Sequence, residues 1–386
     1  MQRRQFVHHA GRAALLAATT PLFTGQALAN EAPGVSARTI TIGCSAPLSG
    51  PLVDFGKDIQ TGAGAAFAEA NARGGVHGRS VQLNILDDGY QPERSVTNVR
   101  KFIAEGGALA LLSCVGTPNN TETLPLVEEA GLPHVAPITG ATSLRKNARS
   151  VFHVRASYGD EMLRLVNRLT DMGLKGIGIV YLDNGYGREM LEVGTRALAA
   201  KGMQPAVQTA LATDGKNLAQ VLAAVAKARP AAVLLATAGT VSVGLVHGLK
   251  KDSPGLLMAG LSVSLPSSSL AGLGEDARGL ALTMVVPDPA STKLAVVREY
   301  QAAMRAGGFQ GYTQGSLEAY INARVLLEGL ERAGKDPTPA RLRSALAGIR
   351  DMDVGGFKVG FGAQPPFVGS RYVELGVLGA AGRFIG

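Results

Sequence analysis

The stretch Gly116-Thr117-Pro118-Asn119-Asn120 stands where a strand-like run, 109–113, gives way to a helical one. Backbone N–H groups at a helix start are unpaired and the helix dipole is positive there. Gly116, Thr117 and Asn119 in that place can therefore hold an anion, and a carboxylate is the obvious small one. The same residues also fit plain capping, with Thr117 and Asn120 closing the helix end as Thr and Asn often do. A second loop of similar chemistry, 45–56, is rich in Ser, Pro and Gly. Nothing comparable points to catalysis. His77, His134, His153 and His247 stand at no metal-ligand spacing such as H-x-x-x-H, and there is no G-x-S-x-G elbow or Walker loop. A binding protein without cofactor or metal is expected, not an enzyme.

Such loops need a scaffold that brings their tips together. From Arg38 onward, short β-branched or apolar runs alternate with helical-period stretches, the pattern of parallel strands joined by crossover helices. One series has strands at 39–44, 81–86, 109–113 and near 134–136. Its helices end near Arg73 before Gly74-Gly75, open at Pro92-Glu93, and begin near Thr121. A second series has strands at 177–181, 206–209, 232–236 and 257–260. Helices at 294–306, 316–333 and 339–347 follow, then strands at 357–359 and 372–378. The expectation is α/β, two doubly wound parallel-sheet lobes: 36–155 with 284–360, and 156–283 with 361–386. Three hinge crossings, near Arg155, Thr283 and Phe361, would join them. In open parallel sheets ligands bind beyond the carboxyl ends of the strands where strand order reverses. That rule places 45–56 and 114–120 around the ligand.

The N-terminus reads as an address. Arg3-Arg4, an apolar stretch from Ala13 to Phe23, and Ala27-Leu28-Ala29 give the basic, apolar and small-residue order of an export signal over 1–29. The paired arginines also fit twin-arginine export as against the general secretory route. No later segment reaches the run of about eighteen apolar residues that a membrane helix needs. The net charge of +8 falls by three when the leader's arginines are removed, and the rest is spread along the chain. Without basic clusters, and with few aromatics, nucleic acid is not an expected partner. The two cysteines, Cys44 and Cys114, lie in or just after apolar strands and read as buried free thiols, although an oxidising compartment would permit a pair.

Ala46-Pro47-Leu48-Ser49-Gly50-Pro51, Phe55-Gly56, Asn71-Ala72-Arg73-Gly74-Gly75 and Asp87-Asp88 follow one another in an order that carries more information than any one motif. Thr139-Gly140-Ala141, Val154-Arg155-Ala156-Ser157-Tyr158, Asp183, Tyr186-Gly187, Glu318-Ala319-Tyr320 and Gly355-Gly356-Phe357 continue it. With these the chain resembles the leucine/isoleucine/valine-binding proteins of branched-chain amino acid ABC importers. The resemblance implies a type I periplasmic-binding fold that closes on a small-molecule ligand and delivers it to ABC permease subunits in the inner membrane. It implies a periplasmic protein, expected to be a monomer. It also implies that Thr117 binds the ligand carboxylate, that Ile138, Thr139 and Gly140 supply backbone groups and a hydroxyl, and that Tyr186 and Phe55 cover the ligand from opposite lobes. Gly239 falls at a further ligand-facing loop position, and Val115, Gly116, Tyr158 and Ser262 complete the candidate set.

Ser262 marks a departure. Amino-acid-binding members of that family place an acid where Ser262 stands here. A buried ammonium without a charged partner costs several kcal/mol. Unless Asp160, Glu161 or Asp183 takes over, another carboxylate or an amide becomes as good an expectation as an amino acid. A ligand-occupancy sensor of the same fold is the alternative to transport.

Overall fold

A computed structural model describes residues 32–146 and 148–385; the export signal expected at 1–29 lies outside the described residues. Two main sheets carry the chain. In the first, six parallel strands run in the spatial order Phe367–Val368, Val151–His153, His134–Val135, Ala110–Leu112, Thr39–Ala46, Ser80–Asp87. In the second, Gln208–Leu211, Ile177–Leu182, Ala232–Ala236, Leu257–Gly260 and Ala281–Met284 are parallel. Glu374–Leu378 and Phe384–Ile385 extend that sheet antiparallel. The same winding is used twice. The opening strand of each series has the second strand on one side and the third on the other, so order reverses beside Thr39–Ala46 and beside Ile177–Leu182.

Helices cover the sheets, which is why a strand such as Ala232–Ala236 can be apolar and buried along its whole length. In the first lobe, helix Val53–Ala72 lies against helix Gln314–Ala333 so closely that a β-carbon on Gly62 would sit 1.9 Å from the carbonyl oxygen of Ser316. Only glycine permits that approach. Cys44 and Cys114 are both buried free thiols, and the Ser45 amide donates to Cys114 Sγ at 3.4 Å.

Two expectations need correcting. The helix expected near Thr121 starts at Thr117, because Gly116 turns the chain with φ 97° and Pro118 fits the first helical turn. The third crossing does not fall at Phe361. Strand Phe367–Val368 pairs with Val151–His153 in the first sheet, so the chain passes to the second sheet only beyond Val368. Its two residues are too few to show a period in sequence. Phe367 is nonetheless anchored by stacking on Phe152 at 4.7 Å between ring centroids.

Candidate functional site

The loops at the carboxyl ends of the two sheets meet at a small chamber of about 20 Å³. From the first lobe it is lined by Leu52, Phe55, Tyr90, Val115, Gly116, Thr117 and Ile138. From the second come Tyr158, Tyr186, Ala238 and Val263. Seven of the eleven sequence candidates are thus brought together: Phe55, Val115, Gly116, Thr117, Ile138, Tyr158 and Tyr186.

Helix Thr117–Ala130 points its start at this chamber, and no side chain caps it. The capping alternative does not describe these residues. Asn120 Nδ2 donates to the carbonyls of Cys114 (3.0 Å) and Gly116 (2.7 Å). Thr117 Oγ1 lies 2.8 Å from Thr139 Oγ1, in a buried hydroxyl pair. Pro118 has no N–H and the Asn120 amide donates to the Gly116 carbonyl at 3.0 Å, which leaves the Thr117 and Asn119 amides to face an anion. On the opposite wall the rings of Tyr158 and Tyr186 meet edge to face at 5.1 Å. Tyr186 is 3% exposed, yet its Oη has no hydrogen-bond partner. Burial pushes the Tyr158 hydroxyl up to about 12 and the Tyr186 hydroxyl well above its usual range, so both stay protonated and can donate.

Tyr90 was not anticipated. Asp88, fully buried, accepts from Ser45 Oγ and Ser95 Oγ at 2.8 Å each and from the Tyr90 amide at 2.8 Å. That clamp holds Tyr90 at φ 63°, a backbone region few bulky residues enter. Its ring leans over Gly116, where a β-carbon would come within 2.5 Å of it. The available signal was the Asp-Asp-Gly-Tyr turn after the second strand.

The other four candidates lie around the chamber, not on its wall. Thr139 is fully buried behind Thr117. The Gly140 carbonyl accepts the Tyr158 amide at 2.9 Å, and Gly239 opens helix Thr240–Asp252, whose first amide donates across the cleft to Pro51 at 3.2 Å. Glu189 makes a similar interlobe clasp with the Thr142 amide (2.6 Å) and Ser143 Oγ (2.8 Å). Ser262 is held in the hinge. Its hydroxyl accepts from Arg155 Nη2, and its amide donates to Glu161 Oε2 at 2.8 Å. Glu161 also accepts from Thr283 Oγ1 and pairs with Arg155 at 3.2 Å. Asp160 is spent in the capping box of Ser157, and Asp183 pairs with Arg188 at the surface. None of the three acids proposed as substitutes for the missing partner lines the chamber.

A second chamber of about 40 Å³ lies behind Phe55, Ile138 and Val263, which border both. Its polar wall is Asp58, Gln314, Glu318, Ser262 and Thr283. Burial, with some help from neighbouring Asp54 and Glu318, raises Asp58 to about 7 against the bond from Thr313 Oγ1 at 2.7 Å. Burial likewise raises Glu318 against the attraction of Arg155, 3.5 Å away. Each chamber has room for a few waters at most, since one needs about 10–15 Å³ on this measure. A ligand of several heavy atoms is larger than either chamber as the lobes stand here.

Residues 39–366 match the family model described as periplasmic binding protein. The chain belongs to that family. The Leu/Ile/Val-binding protein BraC3 of Rhizobium johnstonii is 24% identical over 333 residues, covering 84% of this chain and 87% of the relative. A substrate-binding periplasmic protein from Ralstonia solanacearum superposes with a TM-score of 0.83 at 31% identity, over 90% of this chain and 99% of that one. An extracellular ligand-binding receptor from Verminephrobacter eiseniae gives 0.82 at 27%, over 90% and 100%. The likeness to Leu/Ile/Val-binding proteins and the type I periplasmic-binding fold therefore both hold. These relatives are named as binding proteins, and the family is extracytoplasmic. Among the described residues no helix is long and apolar enough to cross a membrane.

Proposed function

We propose that this chain is the solute-binding component of an ABC importer, exported to the periplasm by residues 1–29, and that it closes as a monomer over a small carboxylate-bearing ligand. The ligand is an amino acid, another small organic acid or an amide, which the protein hands to permease subunits in the inner membrane. One observation carries the reading: an interlobe chamber with an uncapped helix start and the Thr117 hydroxyl, backed by Thr139, on one wall, and the unpartnered Tyr186 hydroxyl on the other. Those groups can hold a carboxylate only when the lobes are together. A ligand bound that way favours the closed state by its differential affinity for it. Gly140 and Gly239 serve as close-approach points on either side, and Ser262 ties the second lobe to the hinge.

A thermal-shift screen tests this. The protein, unfolded and refolded to remove carried ligand, is screened against amino acids, aliphatic and aromatic carboxylates, and amides. Ligand at a hundredfold over its dissociation constant adds about 2.7 kcal/mol, which raises Tm by several degrees. A screen in which no compound of these classes raises Tm at millimolar concentration contradicts the proposal.

A further inference from the structure

The chamber behind Phe55 holds more acid than the protein neutralises. Asp58 and Glu318 both face it from the first lobe. Arg155 faces Glu318 with Nη1, while its Nη2 serves both Glu161 and Ser262. Glu318 is 7% exposed, and its Oε1 takes no hydrogen bond, although the Arg155 guanidinium stands 3.5 Å off. Gln314 Nε2, on the same wall, is buried without a partner. An unmet buried polar group costs about 1–3 kcal/mol, and more if charged. The apolar side, from the second lobe, is Leu265, Leu282 and Phe384. The chamber thus combines an apolar wall that would take a methylene chain with one acceptor that lacks a donor, Glu318 Oε1, and one donor that lacks an acceptor, Gln314 Nε2, and it shares Phe55, Ile138 and Val263 with the chamber at Thr117.

We infer that the acid chamber receives the far end of the ligand, and that this end is an ammonium held by Glu318 and Asp58. The inference rests on the proposed carboxylate site at Thr117 and deepens it. The substrate class becomes a carboxylate whose amine lies at the opposite end of the chain, beyond Phe55, and not on the carbon next to the acid. Thr117 and the helix start hold one pole, Glu318 and Asp58 the other, and the Phe55 ring lies along the methylenes between them. An ammonium there supplies the hydrogen bonds that Glu318 Oε1 lacks and the positive charge that a shared Arg155 does not.

The test is calorimetric titration of the refolded, ligand-stripped protein with matched pairs, from butanoate and 4-aminobutanoate to octanoate and 8-aminooctanoate. Glutarate and 2-aminopentanoate serve as further arms. At the best chain length, the terminal amine is expected to bind about tenfold or more tighter than the methyl-ended acid, the gain of a charge-assisted hydrogen bond. Glutarate should bind more weakly than pentanoate. Glu318→Gln and Asp58→Asn should each bring the ratio within a pair towards one. Asp58→Asn leaves the Arg155 pairing untouched, so it reads the chamber even if Glu318→Gln perturbs the hinge. Equal or tighter binding of the methyl-ended acids overturns the inference and leaves the carboxylate reading standing. So does a preference for 2-aminopentanoate over 5-aminopentanoate, or a ratio unmoved in both variants. If no carboxylate binds, both readings fall together.

Discussion

Glu161 and Tyr186 are both buried in the second lobe, a short way apart, and they are treated in opposite ways. The carboxylate of Glu161 is fully used by the protein: Arg155, the Ser262 amide and Thr283 all bond to it. The hydroxyl of Tyr186 is used by nothing. A satisfied buried network is rigid and specific, whereas an unsatisfied group is a cost that a partner can relieve. The Glu161 end of the hinge is built the first way. The two interlobe chambers, with Tyr186 Oη on one and Glu318 Oε1 and Gln314 Nε2 on the other, are built the second way. This contrast separates residues whose bonds hold the fold from the residues that the proposed ligand would satisfy, although both sets are polar and buried.

The sharpest way to break the contrast is to remove one member of the satisfied set. Glu161→Ala leaves the buried Arg155 short of its main partner. We expect a loss of about 3–5 kcal/mol of stability in urea unfolding, the usual cost of breaking a buried ion pair from one side. A loss under about 1 kcal/mol would show that Glu318 alone suffices. Thr117→Val acts on the chamber wall instead. It should weaken a carboxylate ligand by about 1–3 kcal/mol in calorimetry, and unchanged affinity would remove Thr117 from the site.

Asp58 lines the second chamber and titrates in an accessible range. Its folded-state value, about 7, lies above the ordinary carboxylate range, so the folded protein keeps that proton after the unfolded chain has lost it. Stability should therefore fall as pH rises from about 4 to about 7 and then level off. Asp54, Glu318 and Thr313 are the groups around it. The difference in Tm between the wild type and Asp58→Asn, followed across that range, isolates this contribution. A difference that is flat with pH would contradict it. The smallest expected change is in Tyr186→Phe: deleting a buried hydroxyl with no partner should leave stability within about 0.5 kcal/mol or raise it. A larger loss would mean that the hydroxyl is bonded in the free protein.

Much of this architecture was legible in the chain. The apolar run 232–236 and the helix 339–347 coincide with observed elements, because uninterrupted apolar strands and a Pro-opened helix are local signals. The helix start beside the chamber was legible from Gly116 and Thr117, although its first turn was placed four residues late. What was not legible depends on long-range packing. Asp58 and Glu318 sit on separate helices of one lobe and face a chamber that exists only because the other lobe lies opposite. The orientation of Tyr90 depends on a clamp that Asp88 makes with Ser45 and Ser95, and nothing in a turn sequence announces that clamp. Ser262 was recognised as the place where an acid is missing. That Arg155 would occupy its hydroxyl could be seen only once the hinge strands were in place.

A crystal structure of the protein with the tightest carboxylate from the screen tests the central claim most directly. We expect closed lobes, with the carboxylate within hydrogen-bonding distance of Thr117 Oγ1 and the Thr117 and Asn119 amides, and Tyr186 Oη donating to the ligand. Density for the carboxylate outside the interlobe chamber, or against the second lobe alone with Thr117 still paired only to Thr139, would contradict it.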